Sequence, residues 1–197
     1  MFKQNVNYGH PGYVAGRYYT MAGYVTNQTL TLVENTLYFQ PFYVASRMRV
    51  DQLAFAITTG AGGAANEVRT GVYNTRNGRP GNRLIDNGRT VVGTGTGNIT
   101  VTCGITLDQG WYWLAVIANR ATGSATQPTL RAWANEIRSP ITIQFYGASV
   151  PDATSVGPSI VSNAETVSDW TTYTLPALAT SAVTEASIAP ALWVRAA

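Results

Sequence analysis

The sequence predicts an all-β fold: an antiparallel β-sandwich of jelly-roll type with an extended N-terminal arm. Three observations predict it. Short runs rich in Val, Thr, Tyr and Trp recur about every ten residues, the spacing of strands in sandwiches. Gly, Asn and Pro separate the runs as turn residues do. No stretch holds an apolar period of 3.6 through the three turns that a helix assignment needs. A chain of 197 residues suits one all-β domain, read as 17–197 behind an arm at 1–16.

The arm, MFKQNVNYGHPGYVAG, is polar and Gly-rich and carries Phe2, Tyr8, His10 and Tyr13. Strands follow at 30–33 and at 36–44, then at 49–58, where Val50, Leu53, Phe55 and Ile57 supply the apolar side. Another strand spans 67–74. Within NTRNGRPGNR, Asn77-Gly78 is expected to turn through positive φ and Pro80-Gly81 to add a second bend. Asp86-Asn87-Gly88 reads as a further turn before a strand at 89–94. GTGTGN at 93–98 is a flexible connection into a strand at 99–102.

Residues 110–119 read GWYWLAVIAN. Side chains alternate faces along a strand, so Trp111, Trp113, Ala115 and Ile117 point one way and Tyr112, Leu114, Val116 and Ala118 the other. Both faces are apolar, as a central strand covered on both sides requires, so 111–118 is assigned to the core. Short strands at 130–133 and 141–145 and a closing one at 188–194 complete the set. Residues 147–187 mix Ser, Thr, Ala and Pro around Trp170 and Tyr173 and read as a long loop with one or two edge strands.

Charged residues are 12% of the chain, about half the usual share, which leaves a neutral, hydroxyl-rich surface suited to packing against other subunits. Thirteen Lys and Arg against ten acids give a net charge of +3, but the arginines are spread singly. Nucleic-acid binding needs a basic stripe, and none is present. No apolar run reaches the roughly 20 residues of a membrane span or resembles a signal peptide, so the expected product is soluble and made in the cytoplasm.

The chemical inventory is poor. His10, the sole histidine, has no Asp, Ser or Cys near it in sequence, and Cys103, the sole cysteine, reads as a small buried apolar residue. Together they cannot build a zinc set, and the Asp and Asn spacing gives no calcium loop. The Gly-rich stretches at 60–63 and 93–97 lack the lysine and helix of a phosphate cradle. No cofactor or metal is therefore expected. Two carboxylates distant in sequence, such as Asp51 with Glu67 or Asp108 with Glu136, could make a glycosidase pair only if the fold brought them together. The sequons at Asn27 and Asn98 read as chance. Exposed aromatics stack on sugar rings, and Trp133, Trp170 and Tyr173 are the candidates for glycan or interface contacts.

GRYYT at 16–20, LYFQPFYV at 37–44, TGVYN at 70–74, RPGNRLID at 79–86, GWYWLAV at 110–116 and PALWVR at 190–195 resemble the jelly-roll domain of bacteriophage virion proteins. The resemblance implies a non-enzymatic structural subunit of a tail fibre, head fibre or capsid decoration, located on the virion. It carries over no catalytic residue. Jelly rolls have sheet edges that closed rings can bury, most simply three-fold ones, so a homotrimer is expected. The arm would dock on other virion proteins through Phe2, Tyr8, His10 and Tyr13. The alternative is a module that recognises host surface polysaccharide, and an exposed groove lined by the candidate aromatics would favour it.

Overall fold

The computed structural model describes residues 12–20, 25–62, 66–119, 126–135, 159–163, 174–177, 183–186 and 188–197. The described residues are all-β, without a helix, in two antiparallel sheets that pack as a sandwich. In chain order the strands are β1 (Tyr18–Tyr19), β2 (Val25–Thr31), β3 (Thr36–Val44), β4 (Met48–Thr59), β5 (Glu67–Arg76), β6 (Arg79–Val91) and β7 (Gly97–Leu107). They continue as β8 (Gly110–Asn119), β9 (Thr129–Asn135), β10 (Ser159–Asn163), β11 (Val183–Ala186), β12 (Ile188–Pro190) and β13 (Leu192–Ala196). The first sheet runs β1-β13-β4-β9-β12, with β7 on β4 and β2 on β9; the second runs β11-β10-β3-β8-β5-β6.

Alternation in the sequence decides which side chains fill the space between the sheets. From the second sheet come Tyr38, Phe42, Val68, Val72, Leu114 and Val116; from the first, Val50, Leu53, Phe55, Leu130, Leu192 and Val194. Val50 and Leu53 lie an odd number of residues apart and still share this face, because β4 bulges against β7 between Val50 and Gln52. β8 lies between β3 and β5, and Trp113 through Ala118 are buried, as two apolar faces require. Its start is open, where Trp111 is 41% exposed.

The side chain of Gln40 crosses the sandwich. Gln40 of β3 is fully buried; its Oε1 accepts from the Leu192 amide at 2.8 Å and its Nε2 donates to the Leu192 carbonyl at 3.2 Å. Leu192 belongs to the opposite sheet, beyond the point where β1 ends. The glutamine amide thus supplies the hydrogen bonds that a neighbouring strand would have given.

The outer face of the second sheet is covered in part by residues 174–177. Leu175 lies over Gly71, where a Cβ would come within 2.6 Å of the Ile85 carbonyl oxygen, a backbone atom that cannot move aside, so the position requires glycine. The segment is fastened through Asp86, whose carboxylate accepts from the Leu175 amide at 2.7 Å and the Gly88 amide at 2.9 Å. Arg69 and Arg83 approach the same carboxylate, and Arg83 also donates to the Leu175 carbonyl.

Several expected boundaries are corrected. The strand expected at 30–33 runs over Val25–Thr31, where it pairs with β9 over its whole length. The Pro80-Gly81 and Asp86-Asn87-Gly88 turns lie inside one continuous strand, β6. Asn77 and Gly78 form the reversal, with φ of 52° and 75°, and β6 then follows β5 through three register shifts. An edge strand absorbs proline and extra residues as bulges because its outer side has no ladder to keep. The closing strand divides into β12 and β13 at Ala191, where the chain leaves β9 for β4. The expected strand at 141–145 lies outside the described residues; β10 and β11 fall in the long segment where edge strands were expected.

Candidate functional site

The outer face of the first sheet carries a groove of about 530 Å³. Period-2 alternation builds it. Leu192, Val194 and Ala196 of β13 are buried, so Trp193 and Arg195 face outward. On β9, Leu130 and Ala132 are buried, which turns Arg131 and Trp133 outward. On β4 the inward Leu53, Phe55 and Ile57 leave Ala54 and Ala56 on the outside, and β7 presents Asn98 and Thr100. Register fixes the rows: Trp193 is opposite Ala54, which is opposite Thr100, and Ala56 is opposite Asn98.

The groove exists because the middle of this face is small. Ala54 and Ala56 form its floor, while Tyr18, Trp133 and Trp193 rise around it. The two indoles meet edge to face at 5.9 Å and 69°. Tyr18, 43% exposed, is held by its hydroxyl, which donates to Gln52 Oε1 at 2.6 Å. The indole N–H of Trp133 is buried, with no hydrogen-bond partner among the described residues.

Besides the Tyr18 hydroxyl and the indoles, the lining offers Asn98, Thr100 and Arg131, and among the described residues no carboxylate lines it. Beside it, Arg195 donates to both Asp51 oxygens, at 2.8 and 2.6 Å. These charge-assisted bonds hold the Asp51 carboxyl below its ordinary value. The arrangement can stack flat apolar faces on indole and phenol rings and can hydrogen-bond hydroxyls or an anion from one amide, one hydroxyl and one guanidinium. Among the described residues it offers no nucleophile with an adjacent base.

Of the residues singled out from sequence, Trp133 lines this groove. Trp170, Tyr173, Phe2, Tyr8 and His10 lie outside the described residues. Tyr13 packs on the sandwich: its hydroxyl accepts from the Ala45 amide at 2.9 Å and its ring meets Tyr19 edge to face at 4.9 Å. Cys103 is buried, and burial pushes its thiol up to about 11. Asp51 and Glu67 stand on different sheets, the first bound to Arg195 and the second 3.3 Å from Arg89; Asp108 pairs with Arg47, and Glu136 lies outside the described residues. Among the described residues no three His, Cys, Asp or Glu gather as a metal site.

Trp193 and Tyr18 were missed as site residues. The signal for Trp193 was present: in ALWVRA the apolar Leu, Val and Ala alternate with Trp and Arg, which assigns the tryptophan to the face opposite the core.

The fold and groove define a two-sheet β-sandwich with an aromatic-lined outer face. No protein-family model matches the chain, and no curated protein matches it significantly. Among solved structures, a clostridial cysteine protease, Cwp84 after propeptide cleavage, is similar over 86% of this chain at 17% identity and a TM-score of 0.42. The match spans 40% of that protease chain.

Proposed function

We propose that the protein is a non-enzymatic carbohydrate-binding β-sandwich whose outer-face groove holds pyranose units. One observation carries this reading: Tyr18, Trp133 and Trp193 surround a floor of Ala54 and Ala56, with Asn98, Thr100 and Arg131 beside them. A sugar ring has an apolar face that stacks on an aromatic and an equatorial rim of hydroxyls that needs donors and acceptors. The groove supplies both, at a volume within the usual range for ligand sites.

A second reading, an oligomeric subunit on a phage exterior, is favoured by apolar side chains left open to solvent. Val14, Val33 and Val91 are 62%, 58% and 58% exposed, and Tyr43 stacks beside Trp111 at 5.0 Å with both about two-fifths exposed. The two readings are compatible: a particle needs surface subunits that recognise host polysaccharide. Light scattering tests the second reading, because a trimer supports it and a monomer counts against it.

The test of the principal reading is titration of the purified protein against neutral and acidic polysaccharides, repeated with Trp193→Ala and Trp133→Ala. Truncating a tryptophan anchor costs at least about 2 kcal/mol, or roughly 30-fold in affinity. Binding that survives both substitutions undiminished, or a folded protein that binds no polysaccharide, overturns it.

A further inference from the structure

We infer that the groove is selective for an acidic pyranose whose carboxylate is taken by Arg131, an inference that rests on the glycan-binding reading above. The first observation concerns the arginines. Among the described residues, Arg69, Arg83 and Arg195 are buried or half-buried, and each lies within 4 Å of a carboxylate. Arg17, Arg49, Arg76 and Arg79 have no such partner but are exposed to water. Arg131 alone is half-buried with no carboxylate partner among the described residues, and it lines the groove. A guanidinium withdrawn from water loses solvation that a bound anion restores.

The second observation is the sign of the site. Among the described residues its lining holds one cation and no acid, and the neighbouring Asp51 is engaged by two bonds from Arg195. Asp51 therefore does not neutralise Arg131.

The third is spacing. Arg131 and Trp133 are two apart on one strand and face the same way, so their Cα atoms are about 7 Å apart. A pyranose stacked on Trp133 or Trp193 can extend an exocyclic carboxylate toward Arg131. The planar guanidinium matches a carboxylate with two parallel N–H donors, which a neutral hydroxymethyl group cannot use in that way.

The experiment compares polygalacturonate and alginate with their methyl esters, which keep the ring and backbone and remove the charge. Unmodified pullulan serves as a neutral polymer. Arg131→Gln is measured beside the unsubstituted protein, with thermal unfolding as the check on its fold. A charged hydrogen bond predicts that an acid polymer binds roughly ten- to a hundredfold more tightly than its ester. Arg131→Gln should erase that preference, so that the variant binds the acid polymer no more tightly than its ester. Equal binding of acid and ester by the unsubstituted protein overturns the inference while the glycan-binding reading stands; so does a preference that persists in Arg131→Gln. The comparison on the unsubstituted protein decides the matter even if the variant does not fold. If none of the polymers binds, the inference and the reading beneath it fall together.

Discussion

Replacing Gln40 by Leu removes a buried polar bridge between the sheets. Two effects add. The Leu192 amide loses its acceptor at 2.8 Å in a site with no exposed surface, and an orphaned buried donor costs about 1–3 kcal/mol. The Leu192 carbonyl loses the glutamine donor but keeps the Thr20 hydroxyl at 2.7 Å, so about 1 kcal/mol is forfeited there. The expected loss is about 2–4 kcal/mol, read as a lower urea midpoint at unchanged slope. Gln40→Glu gives the sign check. A protonated glutamic acid keeps an acceptor and one donor and gives up the bond to Thr20 Oγ1, whereas its carboxylate would be buried against a carbonyl oxygen. Burial raises the folded pKa of such a group, so its favourable contribution is present below the unfolded value of about 4.3 and is lost as pH rises through the folded one. Relative to the unsubstituted protein at each pH, Gln40→Glu should be nearly neutral at the acid end and strongly destabilised at pH 7. A loss below about 0.5 kcal/mol for Gln40→Leu, or a Gln40→Glu deficit independent of pH, would refute the bridging role. Trp193 follows Leu192 in the chain, so the same substitution should also weaken glycan binding in molecules that remain folded.

Ala54→Leu extends the floor into the groove and should lower polysaccharide affinity at least tenfold by titration. The urea midpoint should move little, since the 530 Å³ space accommodates the larger side chain. Asp86→Asn weakens the clasp on residues 174–177, where two amides and two arginines meet one carboxylate; breaking a buried ion pair predicts a loss of about 3–5 kcal/mol by chemical denaturation. Cys103 should be inert to a thiol reagent at pH 8 in the native protein and react stoichiometrically in denaturant. Folding favours its protonated form, so that contribution is present below the thiol's ordinary 9.0 and is lost as pH rises through about 11. Asp51 has the opposite sign: its lowered pKa gives a contribution present above the ordinary 3.8 and lost as pH falls below it. The stability gap between the unsubstituted protein and Asp51→Asn should therefore be widest near neutrality and close in acid.

Strand existence was legible where hydrophobic pattern and tertiary burial agree. Residues 111–118 are apolar on both faces, and β8 is enclosed on both. The Asn77-Gly78 reversal was legible because positive φ selects for those residues locally. β6 was not legible, because its glycines and prolines carry turn signals while the partner strand β5 imposes pairing through bulges. That outcome depends on a neighbour distant from any local window. Gln40 showed only as an anomaly, a lone amide inside LYFQPFYV; its partner Leu192 is 152 residues away.

The groove was legible in one residue, Trp133, and its composition explains why. A sheet-face site is assembled from strands remote in sequence: Tyr18, Ala54, Asn98, Arg131 and Trp193 share no motif, and register alone makes them neighbours. The sequence does contain each strand's inward and outward sets, because the core residues of β4, β9 and β13 fix the parity of everything between them. It does not contain the strand order that brings β13 and β9 to the same edge of β4. Aromatic residues counted singly are ambiguous between core and surface, as Trp113 and Trp133 show: one is 3% exposed, and the other lines the groove. The outward alanines distinguish a grooved face from an ordinary sheet surface, since two adjacent small residues on a central strand leave a trough only when larger residues flank them. In this protein Trp193 and Trp133 provide the flanks, and the half-buried guanidinium of Arg131 gives the trough its charge.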